Sequence, residues 1–175
     1  MLIDVQQVLS TSGKTEIFKV NFGEEEISYN GISLHIIYNE PFDLCLQNAD
    51  NQKLMITGTS LIKGFIPCDR CLEDVEISFD IKIERSLKTE DGQVVIDLDE
   101  EDDAFYADHR IDSDRLIYDE ILVNWPAKVL CQEDCKGICH VCGQNLNLKS
   151  CGCDRTVLDP RMAAFQDIFN EFKEV

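Results

Sequence analysis

Apolar and polar residues alternate along most of the first hundred positions. Phe18, Val20 and Phe22 share one parity within residues 16–22, as a strand requires, because successive side chains point to opposite faces. Residues 32–38 read as a second strand that stops before Pro41. Phe42, Leu44 and Leu46 open a third, and residues 54–66 resume the extended pattern. Gly58 and Gly64 are expected to mark bends or bulges there. The clearest period-two run sets Val75, Ile77, Phe79, Ile81 and Ile83 against Glu76, Ser78, Asp80, Lys82 and Glu84, a strand with one wet face. Tyr29, Asn30 and Gly31 read as one turn, and residues 48–51 as another. The first ten residues suit a short helix or strand. Residues 94–98 read as a weaker strand, and residues 97–103, almost all acidic, as an exposed loop.

The period then changes. Ile117, Ile121, Leu122 and Trp125 lie on one helical face, with Asp112 or Ser113 as cap and Pro126 as stop. Asp159, Pro160 and Arg161 read as a second helix start, followed by an apolar stripe of Met162, Phe165, Phe169 and Phe172. That stripe is expected to pack on the chain's own sheet. The fold class is therefore α+β. It comprises a curved, mainly antiparallel sheet over residues 14–98, a helix near 114–125, and a cysteine-rich C-terminal segment closed by a helix. Residues 1–127 form the acidic β-rich core domain, and residues 128–175 a tail packed on it.

Cysteine placement adds chemistry. Six of the nine cysteines fall within residues 130–153, and another pair, Cys68 and Cys71, interrupts the sheet between two predicted strands. Thiolates two to four positions apart can meet on one metal, and Zn²⁺ favours four soft sulfur ligands. Cys139, His140, Val141, Cys142 and Gly143 have the form of a zinc knuckle, with glycine where the backbone must turn. A disulfide framework is the alternative. The count is odd, and Asp4 with no apolar run behind it does not read as a secretory leader, which favours metal. The expected ligands form two sites. Cys139, Cys142, Cys151 and Cys153 hold one zinc. Cys68 and Cys71 join Cys131 and Cys135 on the other, by what remains after the first. A self-contained tail, with the first pair as a local turn, is the competing arrangement. Cys45 reads as an ordinary half-buried strand residue.

Charge is extreme and uneven. The formal net charge is −18. Residues 1–127 carry ten Lys/Arg against twenty-seven Asp/Glu, whereas residues 128–175 carry six against seven. The core should repel nucleic acid, so a basic protein is the better partner. Direct RNA contact is expected only through the tail, where Lys128, Lys136, Lys149, Arg155 and Arg161 cluster. No apolar run approaches membrane-spanning length.

No catalytic or small-molecule site is assigned. Pro67, Cys68 and Cys71 match half of a zinc deaminase pattern, but the His-x-Glu half is missing, because Ile36 and Ile37 follow His35. A thioredoxin-type dithiol needs a helix after its cysteines, and here a strand follows. Hydrolytic zinc sites usually carry histidine or carboxylate ligands and an open position. His35 and His109 stand alone. A zinc- or thiol-dependent enzyme is the alternative to a binding protein.

The turn Cys68-Asp69-Arg70-Cys71-Leu72 after a strand resembles that of the YceD family, the large ribosomal RNA subunit accumulation proteins. The run from Leu130 through Cys131, Cys135, Cys139 and Cys142 to Gly143 is similar to the family's cysteine-rich form. Asn145-Leu146-Asn147, then Cys151 and Cys153, then Asp159-Pro160-Arg161 continue the likeness. His140 stands where proline is commoner. The resemblance implies a bacterial cytoplasmic factor, or a plastid one in plants, needed for accumulation of large-subunit ribosomal RNA; with no catalytic site assigned, the function reads as non-enzymatic ribosome biogenesis in the cytoplasm. Joined to the charge, it points to a basic ribosomal protein or the pre-ribosomal large subunit as partner.

Overall fold

A computed structural model describes residues 1–95 and 105–154. The expected loop at 97–103, most of the strand at 94–98 and the final helix with its phenylalanine stripe lie outside the described residues.

The main sheet is antiparallel throughout. Its spine is a hairpin of β6 (Lys53–Pro67) and β7 (Asp74–Glu90), paired along the whole length of β6, from Lys53↔Lys88 to Pro67↔Asp74. Against the other edge of β6 lie β4 (Ile32–Asn39) and β5 (Phe42–Ala49), end to end: β4 pairs the second half and β5 the first. Pro41, which cannot donate a backbone hydrogen bond, sits between them. Outside these, β2 (Thr15–Val20) pairs β5 and β3 (Glu26–Tyr29) pairs β4. Two outer rows are thus each broken midway, while the spine runs through.

Turn chemistry sets this order. Asn30 and Gly31 both have positive φ, as do Asp50 with Asn51 and Asp91 with Gly92. Consecutive left-handed residues match the twist of antiparallel neighbours, and Asn, Asp and Gly adopt that conformation most readily. The third turn leads to β8 (Gln93–Val94). Gly64 lies opposite the register shift between Ile36 and Tyr38, where a Cβ would fall 2.6 Å from the His35 carbonyl oxygen. Gly58 marks no bulge. It stays in register with Ile83, and a Cβ there would meet the Phe42 ring at 2.9 Å, so close packing explains it.

One face of the main sheet is buried: Ile27, Leu34, Leu44, Leu46, Ile56, Ile62 and Phe79 all point into the core. Helix α2 (Ser113–Val123) covers it with Leu116, Ile117 and Ile121. The Asp112 carboxylate accepts from the N–H groups of Asp114 and Arg115, the expected N-cap. Beyond the helix, Trp125 packs on Phe79 and edge-on against Tyr29, with ring centroids 6.2 and 5.6 Å apart.

The N-terminus makes both elements that its residues allow, β1 (Leu2–Asp4) and a single turn α1 (Gln6–Leu9). Strand β1 joins β9 (Tyr106–Ala107) and β10 (Arg110–Asp112) in a small sheet of order β1-β10-β9. Buried Asn48 ties α1 to the main sheet by donating to the carbonyls of Val8, Leu9 and Thr11. Among the described residues, no helix is long and apolar enough to cross a membrane.

Candidate metal centre

The eight cysteines outside β5 gather into two groups of four. Cys68, Cys71, Cys131 and Cys135 form one, and Cys139, Cys142, Cys151 and Cys153 the other. Within each group every pair of sulfurs lies within 4.8 Å. A tetrahedron with metal–sulfur bonds of about 2.3 Å has edges of about 3.8 Å. Cys68 and Cys135 sulfurs are 3.8 Å apart, and those of Cys71 and Cys131 3.5 Å. None of the cysteines is disulfide-bonded. Each group fits one tetrahedral ion.

The first cluster caps the closed end of the spine. Cys68 and Cys71 lie in the turn between β6 and β7, and residues 129–135 cross over it. Asp69 N–H donates to the Val129 carbonyl at 2.9 Å, and Val129 N–H donates to the Asp69 carboxylate at 2.8 Å. The Arg70 guanidinium donates to the Cys135 carbonyl at 2.7 Å. Cys68, Cys71 and Cys135 are buried, with Val75 and Leu130 packed around them. Strand β7 follows the turn, as the alternation of Val75 to Ile83 required.

Both Cys-x-x-Cys turns have one shape. Gly143 N–H donates to the Cys139 carbonyl at 2.8 Å with φ +73°, and Leu72 N–H donates to the Cys68 carbonyl at 3.0 Å with φ +63°. The glycine expected of a knuckle is present in the second turn. In the first, a leucine takes the left-handed position, which hid the likeness from the sequence.

Local amides split the thiols within each cluster. Burial opposes ionisation of Cys68, but N–H groups of Arg70, Cys131 and Cys71 outweigh it and bring its pKa down to about 6. The Cys142 and Val141 amides likewise bring Cys139 to about 6. A Glu73 backbone contact favours the Cys71 thiolate, yet burial and the neighbouring sulfurs prevail and push it up to about 12. Cys142 beside it, with burial and Cys151, pushes Cys153 to about 12. At Cys135, burial is outweighed by the Asn147 amide and the Gly137 N–H, and the thiol sits below its usual range.

Sequence reasoning assigned no role to several residues at this end: Asp69, Arg70, Asn145 and Asn147. They entered only as members of the motifs that carry the family likeness, which say nothing of what their side chains hold. The isolated histidines take no part in either sulfur group. His35 lies 3.9 Å from Glu26 on the surface, and His109 lies 3.4 Å from the Tyr106 hydroxyl.

Fold and site together define an antiparallel-sheet protein whose sheet ends in two four-cysteine clusters. The family model described as large ribosomal RNA subunit accumulation protein YceD matches residues 64–169, which span β7, α2 and both clusters, and the chain belongs to that family. An uncharacterized protein of Mycobacterium leprae (strain TN) is 24% identical over 140 residues. The match covers 79% of this chain and 64% of that protein's length. No solved structure matches. Membership suggests a ribosome-related role, and the family is not a known enzyme family.

Proposed function

We propose that this protein is a non-enzymatic factor of ribosome biogenesis that acts in the cytoplasm. It supports accumulation of large-subunit ribosomal RNA by binding a basic ribosomal protein or a pre-ribosomal particle. Family membership carries the ribosomal assignment. The charge of the core supports a basic protein as direct partner, because a strongly acidic surface attracts a cationic chain and repels phosphate. The two clusters are structural zinc sites. Four sulfurs around one ion leave no open position for substrate, and sulfur-only sets suit zinc. Bound zinc would fix the paths of residues 129–135 and 139–153, which have little apolar surface to hold them.

Affinity purification of the tagged protein at low salt, with identification of what is bound, tests the function. The expected result is capture of basic large-subunit proteins that survives nuclease treatment. Loss of all capture after nuclease would replace this reading with direct RNA contact through Lys128, Lys136 and Lys149. Metal analysis of protein purified without chelator should give two zinc ions per chain.

A further inference from the structure

The stretch 143–150 separates Cys142 from Cys151, both in the second cluster, yet its side chains serve the first. Asn147 Nδ2 donates to the Cys135 sulfur at 3.3 Å. Its Oδ1 accepts from Lys136 N–H at 2.7 Å and from Gln132 Nε2 at 3.4 Å, so it grips the loop carrying Cys135 from both sides. Asn145 orients Asn147 by accepting its N–H at 2.9 Å. Asn145 Nδ2 also donates to Glu73 Oε1 at 2.9 Å, and Glu73 directly precedes β7. Backbone bonds complete the strap: Leu146 N–H to the Gly137 carbonyl at 2.9 Å, and Cys139 N–H to the Gln144 carbonyl at 2.8 Å.

We infer that Asn145 and Asn147 are positioning residues that couple the two cysteine clusters, so that metal in one raises the affinity of the other. The coupling rests on the reading that both clusters hold metal. An ion bound by Cys139, Cys142, Cys151 and Cys153 fixes both ends of the 143–150 stretch. With its ends fixed, Asn147 is held against Cys135, where its contacts to that sulfur, Gln132 and Lys136 set the direction of the ligand. Coupling is reciprocal, so a metal in the first cluster, by ordering residues 131–136, also orders the stretch and the second site. Asn147 touches no metal; it acts through a ligand.

Stepwise titration of the metal-free, reduced full-length chain with Co²⁺ and then Zn²⁺ tests this, followed by native mass spectrometry and thiolate-to-cobalt absorption. In the wild type, the one-metal species should fall below its statistical share. Cys142→Ser, which breaks the second cluster, should weaken the first by about tenfold or more. Asn147→Ala, which leaves all eight sulfurs in place, should restore the statistical share of one-metal species. It should also abolish the effect of Cys142→Ser on the first cluster, as a double-mutant cycle reads. Asn147→Asp keeps the acceptor for Lys136 N–H but loses the donor to sulfur, and should behave like Asn147→Ala. Hydrogen exchange in β7 serves as the folding control. Two metals binding with independent affinities in the wild type would overturn the coupling and leave both sites standing. A wild type that shows no cobalt–thiolate absorption would overturn the metal reading and the coupling with it.

Discussion

Leu72 and Gly143 occupy the same place in two turns of one shape, and each carries a left-handed backbone. A side chain pays about 1–2 kcal/mol for that conformation, and glycine does not. Among the described residues no atom lies within 4 Å of a Cβ added at Gly143, so Gly143→Ala should cost the backbone term, about 1 kcal/mol. Gly137 also has positive φ, but a Cβ there would fall 2.9 Å from the Arg70 carbonyl oxygen, so Gly137→Ala should cost more. Thermal unfolding of the two metal-loaded variants should rank them in that order. Thiol ionisation gives a second expectation for the metal-free protein. Cys68 and Cys139 are held down at about 6, so between that value and the ordinary thiol range near 9 the unfolded chain binds more protons, and stability rises with pH. Cys71 and Cys153 are pushed to about 12, so above 9 the folded chain binds more protons and stability falls. Chemical denaturation of the reduced, metal-free chain across pH 6 to 12 should therefore show a maximum near 9. A monotonic profile would contradict this division of the thiols.

At the level of elements, the long strands were legible because each keeps one parity for five residues or more; Val75 to Ile83 is the plainest case. Three features escaped. Strand β3 has four residues and β9 and β10 two and three, too few for a period; the last two exist because β1 pairs with β10. The end-to-end partnership of β4 with β5 along one strand depends on register, which no local pattern encodes. The reach of Asn147 from one cysteine group to the other needs the tail's path in three dimensions. The second sulfur group was suggested by spacing, since Cys139 with Cys142 and Cys151 with Cys153 are close in the chain. Cys68 and Cys71 have no such neighbours and could be placed only by elimination. The crossing of residues 129–135 over the β6–β7 turn suggests its own test. If each group holds one zinc, Cys68→Ser should reduce the bound metal from two to one and expose the amides of residues 129–138 to exchange, while β7 stays protected. Unchanged protection of residues 129–138 would mean that Asp69 and Arg70 hold the tail without metal.

Seen whole, the molecule is divided by charge. The sheet and its covering helices carry most of the acid, and the end with the sulfur clusters is close to neutral. Glu24, Glu25 and Glu26 lie together and exposed before and at the start of β3. If a basic protein docks by charge, its association rate should fall as salt rises from 50 to 500 mM, because the screening length shrinks from roughly 14 Å to roughly 4 Å. Reversing Glu24, Glu25 and Glu26 to lysine should slow association at low salt and flatten that dependence. Stopped-flow or surface-binding kinetics would measure both. Rates indifferent to salt and to the reversal would leave the acidity as a device for solubility alone.

The first sulfur cluster also alters how the chain is threaded. Cys71 and Cys131 are 60 positions apart, and strand β7, the small sheet's β9 and β10, and α2 all lie between them. With a metal in place, that stretch becomes a closed ring. By the chain-entropy treatment of cross-links, closing a ring of this size removes about 4 kcal/mol of unfolded-state freedom. A single cut inside the ring, for instance at the Asp108–His109 turn, would then leave two pieces that still travel as one particle. Chelation would release the ring, and only then could the pieces part. Peptide-bond damage and metal loss, each tolerable alone, would together take the protein apart.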